Sequence, residues 1–376
     1  MKQFVSVKPK FFKGCSADQL CRTYRLDGCE VYFDDIVPRD ERLLMDEHSE
    51  KQLSDTLFAL RAVRAHASYW AWPTAFLTRR HYDELVDAFG SEAAVAAYYG
   101  DTTGEKMFSR WCDEYALCKK LGMQAYTWHL IDYAPIDGKW EFTLTRREIL
   151  DAMAEMLARF LACLEQRGLL DAASPRIELE NAGWGLEYGA QSAEDFCEIL
   201  SKVEDPCGRL CVAWDVNHLL HALGEKDGRQ SFFLPEDEIT PAMRSLAAGG
   251  DPVYGWLRHN LLSEKLRGRV GAVHLSDRAL PDIAYFMRGK LCEPYYHELM
   301  ALEDDVAQED YGVRIVLGQY DSHLPLGTGV LGTGIGAMLK QLDEENEDFA
   351  LLHELKNTED IFADLGAQLS CLGNME

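Results

Sequence analysis

Long apolar runs are absent from this sequence, and so is any regular spacing of cysteines. No stretch of the 376 residues approaches the ~20 consecutive apolar residues that a membrane-spanning helix needs. Residues 1–14 include lysines but no long apolar segment and no signal-peptide cleavage site, so we interpret them as containing a first strand and not a signal peptide. We therefore expect no membrane partner.

Positive charge is also in short supply. The chain has 38 lysines and arginines against 63 aspartates and glutamates, which gives a net charge of −25. Proteins that grip a phosphate backbone usually present a basic surface, so this balance argues against nucleic acid as the partner. The 11 cysteines are scattered and no C-x-x-C occurs, which is typical of free thiols in a reducing compartment. We therefore expect a cytoplasmic protein.

Short runs rich in β-branched or aromatic residues recur eight times, separated by helical patterns. Several of these runs are almost continuously apolar, as in a parallel sheet that is covered on its outer face. The repeated alternation predicts a (β/α)8 TIM barrel, and a doubly wound open sheet of eight strands is the alternative. The predicted strands are residues 4–9, 28–34, 61–68, 123–130, 176–181, 210–215, 271–277 and 349–355.

No linker, repeat or low-complexity tract interrupts this pattern, so we expect one domain over residues 1–376. The clearest helix is predicted at residues 145–168, with a threonine cap and a closing glycine. Two connections are long, namely residues 69–122 after the third strand and 278–329 after the seventh. Loops at the carboxyl ends of barrel strands build active sites, so both insertions are candidate substrate covers.

Six consecutive predicted strands, the third to the eighth, end in a histidine or a carboxylate. In a parallel barrel these ends open on one face, so their side chains can converge. Carboxylate oxygens with neutral imidazole nitrogens suit a divalent cation, and buried carboxylates without any partner would be costly. The sequence therefore predicts a metal site at the barrel mouth. The strand-end residues are His66, His129, Glu180, Asp215 followed by His218, His274 and Glu354.

Two choices within these strands depend on the alternation of side chains. Glu178 and Glu180 point to the same face, and Glu180 is chosen because it lies nearer the carboxyl end. The adjacent His353 and Glu354 point in opposite directions, and Glu354 is chosen as the residue that faces the barrel axis.

The stretch DSHLPLGTG, residues 321–329, is a further candidate. Asp321 and His323 stand two residues apart and offer a second metal site. The glycines that follow could let backbone amides approach a phosphate, although a polar loop before a helix explains them equally well.

With these residues identified, the chain resembles the xylose isomerase-like TIM barrel superfamily, which holds sugar isomerases, sugar epimerases and endonuclease IV-type apurinic endonucleases. The resemblance follows strand order over most of the chain and rests on the strand ends. In the ketose 3-epimerase and related isomerase branch, one cation is held by Glu, Asp, His and Glu from the fifth to the eighth strands. The matching residues here are Glu180, Asp215, His274 and Glu354.

This resemblance implies a metal-dependent isomerase or epimerase of carbohydrate metabolism, acting on a small sugar or sugar-like hydroxy-carbonyl substrate. Glu180 and Glu354 would remove and return a proton through an enediolate. The implied cofactor is one Mn²⁺, with Mg²⁺, Co²⁺ or Zn²⁺ as alternatives, and a homo-oligomer is expected because such barrels often pair. The expected substrate-binding residues are His218, His129, His66, Trp128, Trp184, Glu187 and Arg278.

The endonuclease branch offers an alternative with more ligands and three zinc ions. The segments ENAGWGLEYG and HASY also resemble that branch, and Tyr69 would then contact DNA. The net charge of −25 and the long insertion before residue 321 favour the isomerase instead. A metal-dependent sugar lyase or C-glycoside-cleaving subunit is a third alternative. The endonuclease pattern would recruit His66, His129, Glu180, Asp215, His218, His274, Asp321, His323 and Glu354.

Overall fold

The structure is a computed structural model, and its elements alternate between strand and helix along most of the chain. It describes residues 1–7, 16–38, 47–70, 72–129, 145–181, 190–221, 223–226, 229–232, 252–277, 323–328, 331, 334–355 and 360–373. The strands are β1 (Lys2–Val7), β2 (Gly28–Tyr32), β3 (Ala62–His66), β4 (Ala125–His129), β5 (Arg176–Glu180), β6 (Leu210–Asp215), β7 (Leu223–Lys226), β8 (Arg229–Phe232), β9 (Val270–Leu275) and β10 (Ala350–His353).

Helices follow most of the strands in this part of the chain. They are α1 (Ala17–Tyr24), α2 (Glu47–Ala59), α3 (Pro73–Thr78), α4 (Tyr82–Phe89), α5 (Glu92–Tyr99), α6 (Glu105–Lys120), α7 (Arg146–Gln166), α8 (Ala193–Ser201), α9 (Val216–His221), α10 (Pro252–Leu261), α11 (Gly336–Glu345) and α12 (Ile361–Gly373). None of the described helices is both long enough and apolar enough to cross a membrane.

Eight of the strands pair in parallel and close into a barrel, in the order β1, β2, β3, β4, β5, β6, β9, β10. Closure comes from the pairing of β1 with β10, which sets Lys2 opposite Ala350 and Val5 opposite His353. The predicted (β/α)8 TIM barrel is therefore confirmed, and the open sheet is excluded. Each of the eight predicted strands overlaps one strand of the barrel.

The predicted helix at residues 145–168 is also confirmed as α7. Its start is fixed by a capping box, in which the Thr145 hydroxyl accepts from the Glu148 N–H while the Glu148 carboxylate accepts from the Thr145 N–H. Beyond its end, Gly168 adopts a positive φ of 67°, a conformation that glycine takes at little cost.

The connections between barrel strands differ in what they contain. Four helices, α3, α4, α5 and α6, occupy the predicted insertion after the third strand. Of the insertion predicted after the seventh strand, residues 278–329, the structure describes only residues 323–328. Between β6 and β9 the structure adds an antiparallel hairpin, β7–β8, that the sequence analysis missed. The dipeptide Asp227-Gly228, which favours tight hairpin turns, was the available signal.

Side chains on the barrel strands alternate between the interior and the helix layer. A small apolar cluster separate from the main core consists of Phe4, Ala213, Ala272, Ala350 and Leu352. Asp215 on β6, His274 on β9 and Glu354, directly after β10, each stand two residues beyond a member of this cluster. Alternation therefore places these three residues inside the barrel as well, at its carboxyl end.

The main apolar core lies between the barrel and its helices, and it includes buried cysteines. The nine cysteines of the described part are all free, although Sγ of Cys21 and Sγ of Cys29 lie 3.5 Å apart. The expectation of free thiols is therefore confirmed for these nine residues.

Candidate metal centre

Glu180, at the end of β5, is the residue around which the strand-end histidines gather. Its Oε2 lies 2.8 Å from Nε2 of His66 and 2.8 Å from Nε2 of His129. Its Oε1 lies 3.5 Å from Nδ1 of His274 and 3.6 Å from Nδ1 of His218. One buried carboxylate thus faces imidazoles from four different elements of the barrel.

A contact between His274 and Glu354 connects the ends of the last two barrel strands, β9 and β10. Nδ1 of His274 lies 3.0 Å from Oε2 of Glu354. The other oxygen, Oε1 of Glu354, accepts a hydrogen bond of 2.8 Å from the Tyr32 hydroxyl. The Tyr32 ring also stacks on His66, with ring centroids 4.4 Å apart. Tyr32 ends β2, a strand that the sequence analysis did not connect with the site.

Asp215 and His218 lie where β6 runs directly into α9. Because no loop intervenes, Oδ1 of Asp215 accepts a hydrogen bond of 2.9 Å from the backbone N–H of His218. Asn181 fixes the Asp215 backbone by accepting from its N–H at 2.7 Å and donating to its carbonyl at 3.2 Å. Nδ1 of His218 in turn lies 3.0 Å from the Asn181 carbonyl, so Nδ1 is the donor, and Nε2 lies 3.7 Å from Oδ2 of Asp215.

The strand-end side chains form three groups whose potential ligand atoms lie within 4.8 Å of one another. The largest group has four members, Glu180, Asp215, His274 and Glu354, and the structure thus brings together the set that the resemblance implied. Glu180 and Asp215 each belong to a second group. The smaller groups are His66, His129 and Glu180, and Asp215, His218 and His323.

The donor set fits a divalent cation. Carboxylate oxygens and imidazole nitrogens are ligands for Mn²⁺ and Zn²⁺. Oε1 of Glu180 and Oδ2 of Asp215 are buried and have no hydrogen-bond partner among the described residues. A buried carboxylate oxygen without a partner is unfavourable, and a bound cation would compensate for its loss of solvation.

Burial and neighbouring charges set the protonation of these residues. Burial alone would raise the pKa of Glu180, but the charges of His129 and His274 and the hydrogen bonds of His129 and His66 hold it well below its ordinary range. Burial lowers the pKa of His129 to about 4, and the nearby positive charge of His66 acts in the same direction. At neutral pH Glu180 is therefore ionised and His129 is neutral, the states in which both residues can bind a metal.

The segment that carries His323 is held by Asp277, which follows β9. The backbones of Asp277 and Leu324 exchange hydrogen bonds of 2.7 and 2.8 Å. The Asp277 carboxylate also accepts from the N–H of Gly327 at 2.9 Å and from the N–H of Leu331 at 2.7 Å. The Gly327 amide, which the sequence offered as a phosphate contact, therefore serves to hold this loop.

A second ionic group is buried in the barrel interior next to the candidate ligands. Arg64 forms an ion pair with Glu178, and its Nε lies 3.8 Å from Oε2 of Glu30. The same oxygen of Glu30 accepts a hydrogen bond of 2.8 Å from the Thr127 hydroxyl, and Oε1 of Glu30 lies 3.6 Å from Nε2 of His274. Sequence reasoning missed Glu30, although a carboxylate within the apolar run GCEVY was a usable signal.

Trp128 does not lie at the site. Its ring centroid is 4.7 Å from that of Trp111 and 4.9 Å from that of Phe160, in the layer between barrel and helices. Thr127 and His129 point into the barrel, so the alternation of the strand turns Trp128 outward. This corrects the expectation that Trp128 lines a substrate pocket.

The segment after β3 places one aromatic side chain at the surface. Tyr69 is 37% exposed, whereas Trp70 and Trp72 are buried. The N–H of Tyr69 donates to Oδ2 of Asp34 at 2.7 Å, which fixes the backbone there.

Four of the predicted site residues lie outside the described residues, and these are Trp184, Glu187, Arg278 and Asp321.

Comparison with known proteins finds similar structures but no matching sequence family. No family model matches the sequence, and no curated protein sequence matches it. The structure of a probable 3-DHS dehydratase, AsbF, from Bacillus anthracis matches with a TM-score of 0.51 at 12% identity over 100% of both chains. A D-allulose 3-epimerase from Methylomonas sp. matches with a TM-score of 0.46 at 13% identity, over 100% of this chain and 98% of the other.

A putative sugar phosphate isomerase/epimerase from Anabaena variabilis matches with a TM-score of 0.48 at 13% identity, over 97% of this chain and 87% of the other. At such identities a likeness establishes the fold and not the reaction. The TIM-barrel fold that the resemblance implied is confirmed.

Proposed function

We propose that the protein is a divalent-metal-dependent isomerase or epimerase acting on a sugar or sugar-like hydroxy-carbonyl substrate. The observation that carries this proposal is the four-residue ligand group at the carboxyl ends of β5, β6, β9 and β10. TIM barrels build their active sites on that face. A cation held by Glu180, Asp215, His274 and Glu354, most simply Mn²⁺, would supply Lewis-acid polarisation of a substrate oxygen.

The proton transfer is assigned to the two glutamates of this group. One carboxylate removes the proton beside the substrate carbonyl, and the other returns a proton. The pKa of Glu180 is held well below its ordinary range, so Glu180 is ionised at neutral pH and can serve as a metal ligand or as a base. Tyr32, whose hydroxyl donates to Glu354, keeps that carboxylate in place.

The surroundings of the group favour a small substrate. The net charge of −25 repels polyanions and does not hinder a neutral sugar. His129 has the most exposed side chain among the histidines that face Glu180, at 25%, so it can reach a substrate hydroxyl from the barrel mouth. We assign His129, with His218 and His66 behind it, to the polar wall of the substrate site.

A second candidate is cleavage of a phosphoester at a centre of several zinc ions. The observation that favours it is the sharing of Glu180 and Asp215 between ligand groups. Carboxylates that bridge neighbouring metals occur in phosphatases and nucleases, where clustered ions hold both the attacking and the leaving oxygen. In this candidate His66, His129 and His323 are metal ligands and not substrate contacts.

A proton-exchange experiment tests the first proposal. The Mn²⁺-loaded protein is incubated in D₂O with a panel of ketoses and aldoses, and deuterium at the carbon beside the carbonyl is followed by NMR. We expect incorporation with at least one sugar and its loss in Glu354→Gln. No exchange with any sugar, together with cleavage of abasic-site DNA or of a small phosphoester by the zinc-loaded protein, would replace the isomerase by the second candidate.

A further inference from the structure

Glu30 on β2 and His274 on β9 face each other across the barrel interior. Oε1 of Glu30 lies 3.6 Å from Nε2 of His274. Both atoms are buried, and neither has a hydrogen-bond partner among the described residues. The distance is longer than a hydrogen bond, but one atom is an acceptor and the other can be a donor, so the two atoms are complementary.

The rest of the Glu30 carboxylate is already fixed. Its Oε2 accepts a hydrogen bond of 2.8 Å from Thr127, and Nε of Arg64 lies 3.8 Å from the same oxygen. Arg64 also forms an ion pair with Glu178, so its charge is shared between the two glutamates. This arrangement leaves Oε1 of Glu30 directed at the His274 ring.

The opposite edge of the His274 ring faces the candidate metal ligands. Nδ1 lies 3.0 Å from Oε2 of Glu354 and 3.5 Å from Oε1 of Glu180. A neutral histidine that binds a metal through Nδ1 carries its proton on Nε2. Metal-binding histidines usually donate that proton to a carboxylate, a carbonyl or water, which fixes both the tautomer and the ring orientation.

We propose that Glu30 is the positioning residue of the metal centre, accepting a hydrogen bond from Nε2 of His274 and thereby presenting Nδ1 to the cation. This inference rests on the proposed metal site and deepens it. Glu178 provides the contrast, since it is buried beside the same Arg64 but contacts none of the candidate ligands in the described part of the chain.

The test measures metal affinity and stability separately. Apparent dissociation constants for Mn²⁺ and Zn²⁺ are determined at one pH by competition with a chelator, for the parent and for Glu30→Leu, Glu30→Gln and Glu178→Gln. Unfolding of each metal-free variant is followed by circular dichroism. We expect Glu30→Leu to weaken binding by about 10- to 100-fold. Glu30→Gln keeps an acceptor oxygen and should lose less, and Glu178→Gln should stay within about threefold of the parent.

Each outcome decides a different point. Parent protein that binds metal, with Glu30→Leu and Glu30→Gln at parental affinity, would overturn the positioning role alone. An equal loss in Glu178→Gln would also overturn it, because the effect would then belong to the whole buried ionic group. A parent that binds neither metal would overturn the proposed function itself. If Glu30→Leu does not fold, the comparison of Glu30→Gln with Glu178→Gln decides.

Discussion

Nε2 of His66 lies 2.8 Å from Oε2 of Glu180, although the two residues are 114 positions apart in the chain. They meet because β3 and β5 both pair with β4 and end on the same face of the barrel. Oε2 of Glu180 also receives His129, while Oε1 faces His274 and His218. Glu180 is therefore the residue through which the candidate ligand groups are connected.

Glu180→Gln should remove metal binding and leave the fold intact. The amide has lost the negative charge that faces four imidazoles, so affinity for a divalent cation should fall by at least about 100-fold. Turnover should be abolished with it. Metal content after dialysis and circular dichroism check the two halves of this prediction, with Glu178→Gln as the matched buried control. A Glu180→Gln protein with full metal content would contradict it.

His66→Gln should distinguish a substrate contact from a metal ligand. As a substrate contact, its loss should raise KM by about 10-fold, the effect of one hydrogen bond to a charged or polar group, without a change in metal content. Steady-state kinetics and elemental analysis of the same preparation give both values. Loss of one metal equivalent per chain would instead assign His66 to a multinuclear zinc centre.

The barrel and the positions of its mouth residues could be predicted from the sequence because they depend on periodicity. On β10, Ala350 and Leu352 share a face with Glu354, and His353 lies on the other face, where Nε2 contacts Oε1 of Gln3 at 3.1 Å. The alternation of side chains in a strand therefore decides between His353 and Glu354. The same alternation, applied to β4, predicts that Trp128 points away from the barrel interior.

Other features of the site depend on barrel closure, which no local pattern contains. The sequence does not say that His66 and His129 share one oxygen of Glu180, because this follows from the relative register of three strands. Glu30 and Tyr32 were missed for a different reason. They lie on β2, a strand from which the sequence analysis took no candidate ligand.

Gly271→Ala should destabilise the barrel. A Cβ at this position would lie 2.6 Å from Sγ of Cys211 and 2.7 Å from Oε1 of Glu178, closer than packed atoms approach. Overpacking of this kind typically costs about 1–3 kcal/mol. Urea unfolding measures the loss, and Gly373→Ala is the control because its Cβ would meet nothing within 4 Å. Equal stability of the two variants would show that the barrel interior around Glu178 accommodates the added methyl group without strain.

His353 should make the stability of the metal-free protein depend on pH. Burial lowers its pKa from 6.5 to about 4. Its Nδ1 faces Nε2 of Gln368, which donates to it at 2.9 Å, so a proton on Nδ1 would have no acceptor there. Below the unfolded-state pKa the unfolded chain binds more protons, so the free energy of unfolding should fall as the pH drops from about 6.5 to about 4.

The expected contribution of His353 is about 2 kcal/mol between pH 7 and pH 5. Urea unfolding of the metal-free parent and of His353→Gln at both pH values isolates it, because the other titrating groups are common to the two proteins. The parent should lose more stability than the variant on acidification. Parallel losses would mean that His353 accepts a proton in the folded state at an ordinary pKa.

The central claim is that the carboxyl ends of the barrel strands bind a divalent metal, and elemental analysis of the purified protein tests it most directly. We predict about one Mn²⁺ or a related divalent ion per chain, lost in Glu180→Gln and retained in Glu178→Gln. Two or three zinc ions per chain would favour the second candidate function, cleavage of a phosphoester. A protein that binds no metal even after reconstitution would contradict the claim.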